Sequence, residues 1–486
     1  MTDIKIEFFK FYLISGIQMK ISKRDLLTRK GNHIDYYLIE FNKLNVHKLV
    51  CEPDYAVSDF ADFRHSSSLD YRPLVSSKAI ERSNAQFDTF QSWFSVENVE
   101  CFNLRSAIQT TFSIGAKQNN FPAEPKKWEQ FREVCTSNGF LAIRSDFDDL
   151  KPLVEQPLFL GDFGYLSMAS KQFPKAACLA SGYSLVNNFE CLSRYQAIRD
   201  PIGLRASNGQ ILNIPVYGRP CFLQKDCGES EIVRLDSSSA SLLLEVEDGR
   251  CFEVRNISIS SGTQPYFVAA DNEIKATPKS QSRVDLLISQ GTVAARILGG
   301  GTLVGYSGVI ISCSSESDLG KISDHQNTKV KYKIDAHDGI VSGLQCGPTL
   351  VDFGKQSEIE MSLRNEKLSK SSEAFKPAPT SLHLSCGNVK AARSAIAVGN
   401  EKLFAIVIPG SNTSASRASN IKSYGATFDE LAEVCLSEGA LTAMAMDSGG
   451  SVGLHHNGSP VFSGGDFRNS FNRTFERPLA HSVVLT

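Results

Sequence analysis

The sequence has no apolar run approaching the roughly 20 residues that a membrane-spanning helix needs, so an integral helical membrane protein is not expected. The N-terminal run Phe8 to Ile14 is interrupted by Lys10, and no small-residue cleavage site follows it. It reads as non-secretory, which gives a cytoplasmic expectation. There is no C-x-x-C pair and no short cysteine framework, although the 486 residues include 12 cysteines. That spacing disfavours a zinc site, and buried free thiols in a reducing compartment are the economical reading. Charge of one sign is also missing, with 51 Lys and Arg against 53 Asp and Glu scattered along the chain. The electrostatic footprint of a nucleic-acid partner is therefore absent. The glycine-rich "ILGGGTLVGYSG" (297–308) lacks the Lys-Ser/Thr of a phosphate-binding loop and reads as a β-turn. With no ligand cluster at metal spacing, no metal and no cofactor are expected.

What is present is the composition of a folded protein, 42% hydrophobic and 21% charged, on a chain long enough for several structural units or one large domain with insertions. The segment 33–53 alternates apolar and polar residues as one or two strands do. We take 1–84 as N-terminal strands belonging to the main domain, 85–160 as an inserted or accessory helical region, and 161–486 as the principal domain. Residues 356–390, rich in Ser, Lys and Pro, read as a flexible excursion within it. Short strands punctuated by Gly and Asn fill 200–350. Near the C-terminus, "SAIAVG" and "KLFAIVIPG" read as strands, and "TFDELAEVCLSEGA" has a helix period. Thr427 with Glu430 three residues on is a capping-box signature, and Gly439 is a C′ stop. Leu441 to Met446 is then a strand whose end carries Asp447. The fold class that follows is α+β, with mixed β-rich sheets and a few packed helices.

The order of these pieces resembles the phosphodiester glycosidase family. The carriers are "ARSAIAV", "KLFAIVIPG", "YGATFDELAEVCLSEGALTAMAMDSGGSVGLHHNGSPV" and "ERPLAHSVVL", with "GIVSGLQCGPTLVDFGK" (339–355) and "NNFECLSRYQAIRDPIGLRASNGQILNIPVYGRP" (187–220) upstream. Read this way, the resemblance covers most of 160–486. The family's patterns here are R-T-A-I-G, a strand ending D-G-R, N-L-D-G-G-G-S and E-R-P-V. The chain keeps Arg393, Asp447, Gly449, Gly450, Ser451, Glu476, Arg477 and the Cys346-Gly347-Pro348 turn. It departs at Pro409-Gly410-Ser411, where D-G-R is expected, at Ala445-Met446 before the aspartate, at Ser448 in place of the first glycine, and at Asn187-Asn188-Phe189, where Asn-Gly-Gly is expected.

The resemblance implies a hydrolase that cleaves a glycosyl group from a phosphodiester, so the partner expected is a small-molecule or glycan phosphodiester, not nucleic acid or membrane. That chemistry passes through an oxocarbenium-like state and calls for a carboxylate near the anomeric carbon and cations on the phosphate. Asp447 and Glu476 are the candidate catalytic carboxylates, and Arg393 is assigned with them. Arg477 is the second arm of an arginine clamp. Asn187 is placed on a sugar hydroxyl or phosphate, and Gly449, Gly450 and Ser451 line a turn whose N–H groups could form an anion nest. The competing expectation is a catalytically degenerate sugar- or phosphate-binding protein on the same fold, motivated by the lost D-G-R and Asn-Gly-Gly patterns. Each residue also has a plainer alternative: Asp-Ser-Gly-Gly is ordinary turn chemistry, Arg393 could pair with a surface acid, and His455 and His456 fall on opposite faces of a strand as structural histidines.

Overall fold

The structure is a computed structural model. It describes residues 6–7, 19–42, 49–50, 170, 176–180, 182–183, 201–207, 209–257, 264–270, 276–289, 292–302, 304–305, 308–322, 328–335, 337–368, 389–410, 425–457, 459–463, 467–468, 474–475 and 482–485. The region expected to be accessory and helical, 85–160, lies outside these residues. The elements that position the candidate site are strands β1 (Met19–Leu27), β2 (His33–Asn42), β3 (Pro220–Lys225), β4 (Ile340–Gln345) and β5 (Thr349–Asp352), then helix α1 (Ile359–Asn365). They continue with β6 (Arg393–Val398), β7 (Lys402–Ile408), helix α2 (Phe428–Ser437), β8 (Thr442–Ala445) and β9 (Gly453–His456).

Among the described residues the largest sheet has eight strands, in the order Ile6–Glu7, β1, β2, β7, β6, β8, β5, Lys355–Gln356. Every pairing in it is antiparallel. Its first half comes from the N-terminus and its second half from residues some 300 positions later. The register Leu403↔Phe41 through Val407↔Tyr37 joins them. A seven-stranded sheet spans residues 240–334, with one parallel pair, Cys251–Asn256 beside Tyr266–Val268. Two five-stranded sheets complete the main architecture, one holding β3 and β4, the other β9. The fold is thus α+β and β-rich, with two helices among the described residues. None of the described helices is long and apolar enough to cross a membrane.

Successive strand side chains point to opposite faces, yet all six residues of β6 are buried and β7 is buried from Leu403 to Ile408. Both faces are therefore covered. Helix α2 touches β5, β6 and β8, and strand Ser230–Arg234 also touches β6 and β8. The continuous apolar runs are explained by this two-sided burial, at about 1.5–3 kcal/mol for each large aliphatic side chain removed from water.

Helix α2 forms where its caps dictate. The Thr427 hydroxyl accepts the Glu430 N–H, and the Glu430 carboxylate accepts the Thr427 N–H, at 3.2 and 2.9 Å. Gly439 follows with φ 86°, the left-handed conformation that lets the chain leave the helix. The β1–β2 hairpin then grips this helix along its length. Asn32 donates to Glu430 at 2.6 Å, the Arg29 N–H to Glu433 at 2.8 Å, and Arg24 and the Tyr36 hydroxyl both to Glu438 at 2.5 Å.

Residues 356–368 do not form the solvated excursion expected for 356–390. Helix α1 lies there, burying Ile359, Ser362 and Leu363, and Leu368 is fully buried behind it. Its short apolar spacing was masked by the Ser, Lys and Pro content of the longer stretch; residues 369–388 lie outside the described set. The glycines of 299–301 all have positive φ and turn tightly against Pro278 and Lys279, as a β-turn reading requires. Cys221, Cys313, Cys346 and Cys435 are buried free thiols, whereas Cys227 and Cys251 are exposed, contrary to the expectation of burial.

Glu438 is the junction of hairpin and helix, with its side chain 4% exposed. Glu438→Ala leaves Arg24 and Tyr36 without their shared acceptor and should cost about 3–5 kcal/mol. Urea denaturation measures this; a loss under about 1 kcal/mol would mean that the network contributes no more than a surface ion pair.

Candidate functional site

Asp447 stands one residue beyond Met446, which follows β8, and the chain around it is held from both sides. On one side, the Met446 N–H donates to Ser394 O, the Gly449 N–H to Ala392 O, and the Ser394 hydroxyl to Asp447 O, each at 2.9 Å. On the other, the Gly347 N–H donates to Ala445 O and the Ala445 N–H to Pro348 O, each at 3.0 Å. The Gly347–Pro348 peptide is cis. Asp447 is half-buried, and its own Oδ1 accepts the Ser448 N–H at 2.8 Å. Gly449, at φ 70°, opens a single 3₁₀ turn through Ser451. The Ser448 and Gly449 amides are therefore committed within the protein, which narrows the anion nest expected of this turn. Gly450 and Ser451 are buried beside it.

Arg393 begins β6, next to the serine that holds Asp447, but its guanidinium faces inward. Nε donates to Ala426 O at 3.1 Å, one terminal nitrogen donates to Val389 O at 2.9 Å, and the group lies 3.9 Å over the Phe428 ring. The side chain is buried and is not a surface arginine. It stitches the start of β6 to the start of α2, with a cation–π contact that desolvation strengthens. Its charge still reaches the site through Tyr183. Burial holds the Tyr183 phenol well above its ordinary range, the neighbouring Cys346 thiol and Asp447 carboxylate push in the same direction, and Arg393 and Arg219 oppose them. The Tyr183 hydroxyl donates to Gly347 O at 2.8 Å.

Glu476, Arg477 and Asn187, assigned from the resemblance, lie outside the described residues. His455 and His456 are both buried on β9, where His456 Nδ1 donates to Ala176 O at 3.0 Å; His456 is thereby a structural histidine.

Three polar groups near the turn escaped the sequence. Tyr183 is one. Arg219, fully buried, donates to Glu366 O at 2.8 Å, Lys367 O at 3.3 Å and Ile202 O at 3.4 Å, and stacks 4.5 Å over Tyr217. It meets the last carbonyls of α1, where a cation complements the helix dipole. Glu366, 2% exposed, accepts the Thr349 hydroxyl at 2.6 Å and the Thr349 N–H at 3.1 Å. Burial pushes its carboxyl up to about 7, against the Thr349 hydrogen bonds, Arg234 and Arg219, which pull it down. Nothing in the local sequence marks these residues, because each is brought to the site by a different element. Among the described residues no three His, Cys, Asp or Glu side chains are grouped to hold a metal.

A mostly antiparallel α+β protein with a strand-end aspartate beside buried arginines is the class that fold and site define. Residues 299–486 match the phosphodiester glycosidase family model, the family that the motifs resemble. The match begins at Gly299 and does not take in the block at 187–220. No curated protein matches the chain by sequence. Among solved structures, a hypothetical protein from Synechocystis is similar at 12% identity and a TM-score of 0.44, over 97% of this chain and 64% of that one. The zebrafish N-acetylglucosamine-1-phosphodiester alpha-N-acetylglucosaminidase catalytic domain, auto-inhibited by its pro-peptide, is similar at 10% identity and a TM-score of 0.40, over 100% of this chain and 87% of that one.

The raised carboxyl of Glu366 makes stability depend on pH. Its folded-state ionisation lies above the ordinary 4.5, so its contribution is fully present below about pH 4.5 and is lost as pH rises through about 7, to a total of about 3 kcal/mol. Glu366→Gln should therefore gain about 3 kcal/mol relative to wild type between pH 4.5 and 8. Denaturation across that range checks it, and parallel stability curves for the two proteins would refute it.

Proposed function

We propose that the chain is a hydrolase that cleaves a glycosyl or glycosyl-like group from a phosphodiester, with the Asp447 carboxylate serving the anomeric centre. The observation that carries this reading is the placement of Asp447. Within the family-matched segment, it is the half-buried acid at the end of β8, held by Ser394 on one side and flanked by the Gly347–Pro348 turn on the other. With its main chain held this way and its Oδ1 accepting the Ser448 N–H, the Asp447 carboxylate needs little reorganisation to act as a base or to stabilise positive charge at the sugar carbon. Glu476 is the second carboxylate of this proposal, and Arg477 with Asn187 the contacts to phosphate and sugar. Gly449, Gly450 and Ser451 leave room for close approach.

Arg393 takes a different role from the direct clamp first assigned to it. With its guanidinium spent on Ala426 O, Val389 O and the Phe428 ring, it supports the site by charge and by holding β6 against α2. A second reading, a binding protein that keeps the fold and a sugar-phosphate site without turnover, is favoured by Pro409-Gly410-Ser411 and Asn187-Asn188-Phe189 standing where D-G-R and Asn-Gly-Gly are expected.

The two readings separate on one assay. Wild type and Asp447→Asn are presented with a panel of sugar-1-phosphodiesters. The hydrolase reading expects turnover by wild type and a fall of about 10²–10⁴-fold in kcat for Asp447→Asn. Turnover that Asp447→Asn leaves intact would remove Asp447 from the chemistry, and saturable binding without any product from wild type would favour the second reading.

A further inference from the structure

Several buried polar groups lie beside the Gly347–Pro348 turn, and they form a continuous path. Glu366 ends α1 and receives both the N–H and the hydroxyl of Thr349. Thr349 begins β5, immediately after the turn. The turn itself exchanges two main-chain hydrogen bonds with Ala445, two residues before Asp447. Glu366 is also pressed against the turn directly: a Cβ on Gly347, whose φ is 150°, would lie 2.5 Å from Glu366 Oε2 and 2.8 Å from Leu368 Cδ1. Behind Glu366, Arg219 ties down the Glu366 and Lys367 carbonyls. From the open side, Arg234 reaches the Thr349 hydroxyl at 3.4 Å while paired with Asp352 at 3.7 Å.

We propose that Glu366 is a positioning residue for Asp447, acting through Thr349 and the Gly347–Pro348 turn. The proposal rests on the reading of Asp447 as the reacting carboxylate. Glu366 is buried and does not touch substrate. Its two hydrogen bonds set where Thr349 lies, Thr349 sets the turn, and the turn's bonds to Ala445 set the end of β8. Strand β8 is only four residues long, so its end has few other constraints on the β5 edge. Displacing a reacting group by about 1 Å can cost on the order of 10²-fold in rate. A short carboxylate relay of this kind therefore acts on turnover, with little effect on substrate binding.

The test uses the full chain with Glu366→Ala, Glu366→Gln, Thr349→Val and Thr349→Ser. Gln retains an acceptor for the Thr349 N–H, and Ser retains the hydroxyl, so these two serve as conservative rescues. Hydrogen exchange followed by mass spectrometry reads the amides of 345–352 and 443–449, with 428–437 and 33–42 as internal controls. The expected result is that Glu366→Ala and Thr349→Val speed exchange in 345–352 and 443–449 by about tenfold or more. The controls, Glu366→Gln and Thr349→Ser should exchange no more than about threefold faster than wild type. On any phosphodiester the wild type hydrolyses, the same two disruptive variants should lower kcat by about tenfold and leave KM within about twofold. Unchanged exchange at 443–449 in both would overturn the proposal, and so would faster exchange shared equally by the control segments, or a loss confined to KM. If Glu366→Ala does not fold, Thr349→Val against Thr349→Ser decides alone. A wild type that hydrolyses no diester would bring down the functional reading, while the exchange pattern would still decide whether Glu366 positions the end of β8.

Discussion

The site depends first on main-chain hydrogen bonds made on both edges of one short strand. Strand β8 spans only Thr442 to Ala445, too short to fix the position of Asp447 by its own propensity. It is held because Ala445 pairs with the Gly347–Pro348 turn while Met446 and Gly449 donate to Ser394 and Ala392. These bonds are made in a dry environment, since Ala395, Ala443, Met444 and Ala445 are fully buried. A main-chain group that lost its partner there would bear its full desolvation cost. That asymmetry makes the position of Asp447 a property of three strands, with its own loop contributing less.

The second constraint is that the same sheet is built from both ends of the chain. Strands β1 and β2 supply one half, and the hairpin between them contacts α2 through Asn32, Arg29, Arg24 and Tyr36. A pairing between residues so far apart in sequence is costly in loop entropy, and apolar burial alone does not specify register. Partly buried charges add to it, because slipping the hairpin by one residue would take Arg24 and Tyr36 from Glu438 and Asn32 from Glu430. Lys402 bonding Glu40 across β7 and β2 adds to this where the two halves meet.

The elements whose signals are local were legible in the sequence. The capping box at Thr427 and Glu430, the Gly439 stop, the strands at 393–398 and 402–408 and the aspartate after β8 all follow from spacing of a few residues. Strand β1 was covered only by the general expectation of strands over 1–84 and had no bounds of its own, because "MKISKRDLL" is mostly half-buried and carries its polar side chains toward α2 and β2, so no clean alternation shows. Helix α1 was hidden by the composition around it. At the site, Asp447 was legible from its glycine-rich turn, and the role of Arg393 was not. An arginine at the head of a strand looks alike in sequence whether it points at a ligand or, as here, at an aromatic ring and two carbonyls. Tyr183, Arg219 and Glu366 were invisible for a more general reason, since they come from three separate segments and converge only through the sheet order.

Arg219 and Glu366 also indicate what the interior beside the site is built to do. An apolar pair in their place would avoid the desolvation of two charges and could be as stable or more so. What an apolar pair could not supply is direction. The guanidinium is divided between the Glu366 and Lys367 carbonyls just past α1 and the Ile202 carbonyl, and the carboxylate is spent on one threonine at the head of β5. Each bond has a preferred angle as well as a length, so the pair orients α1 against β5 in a way that packing alone does not. Desolvation raises the carboxyl toward neutrality, a cost consistent with an interior that gives up stability for geometry, a trade found where a protein must hold a reacting group still.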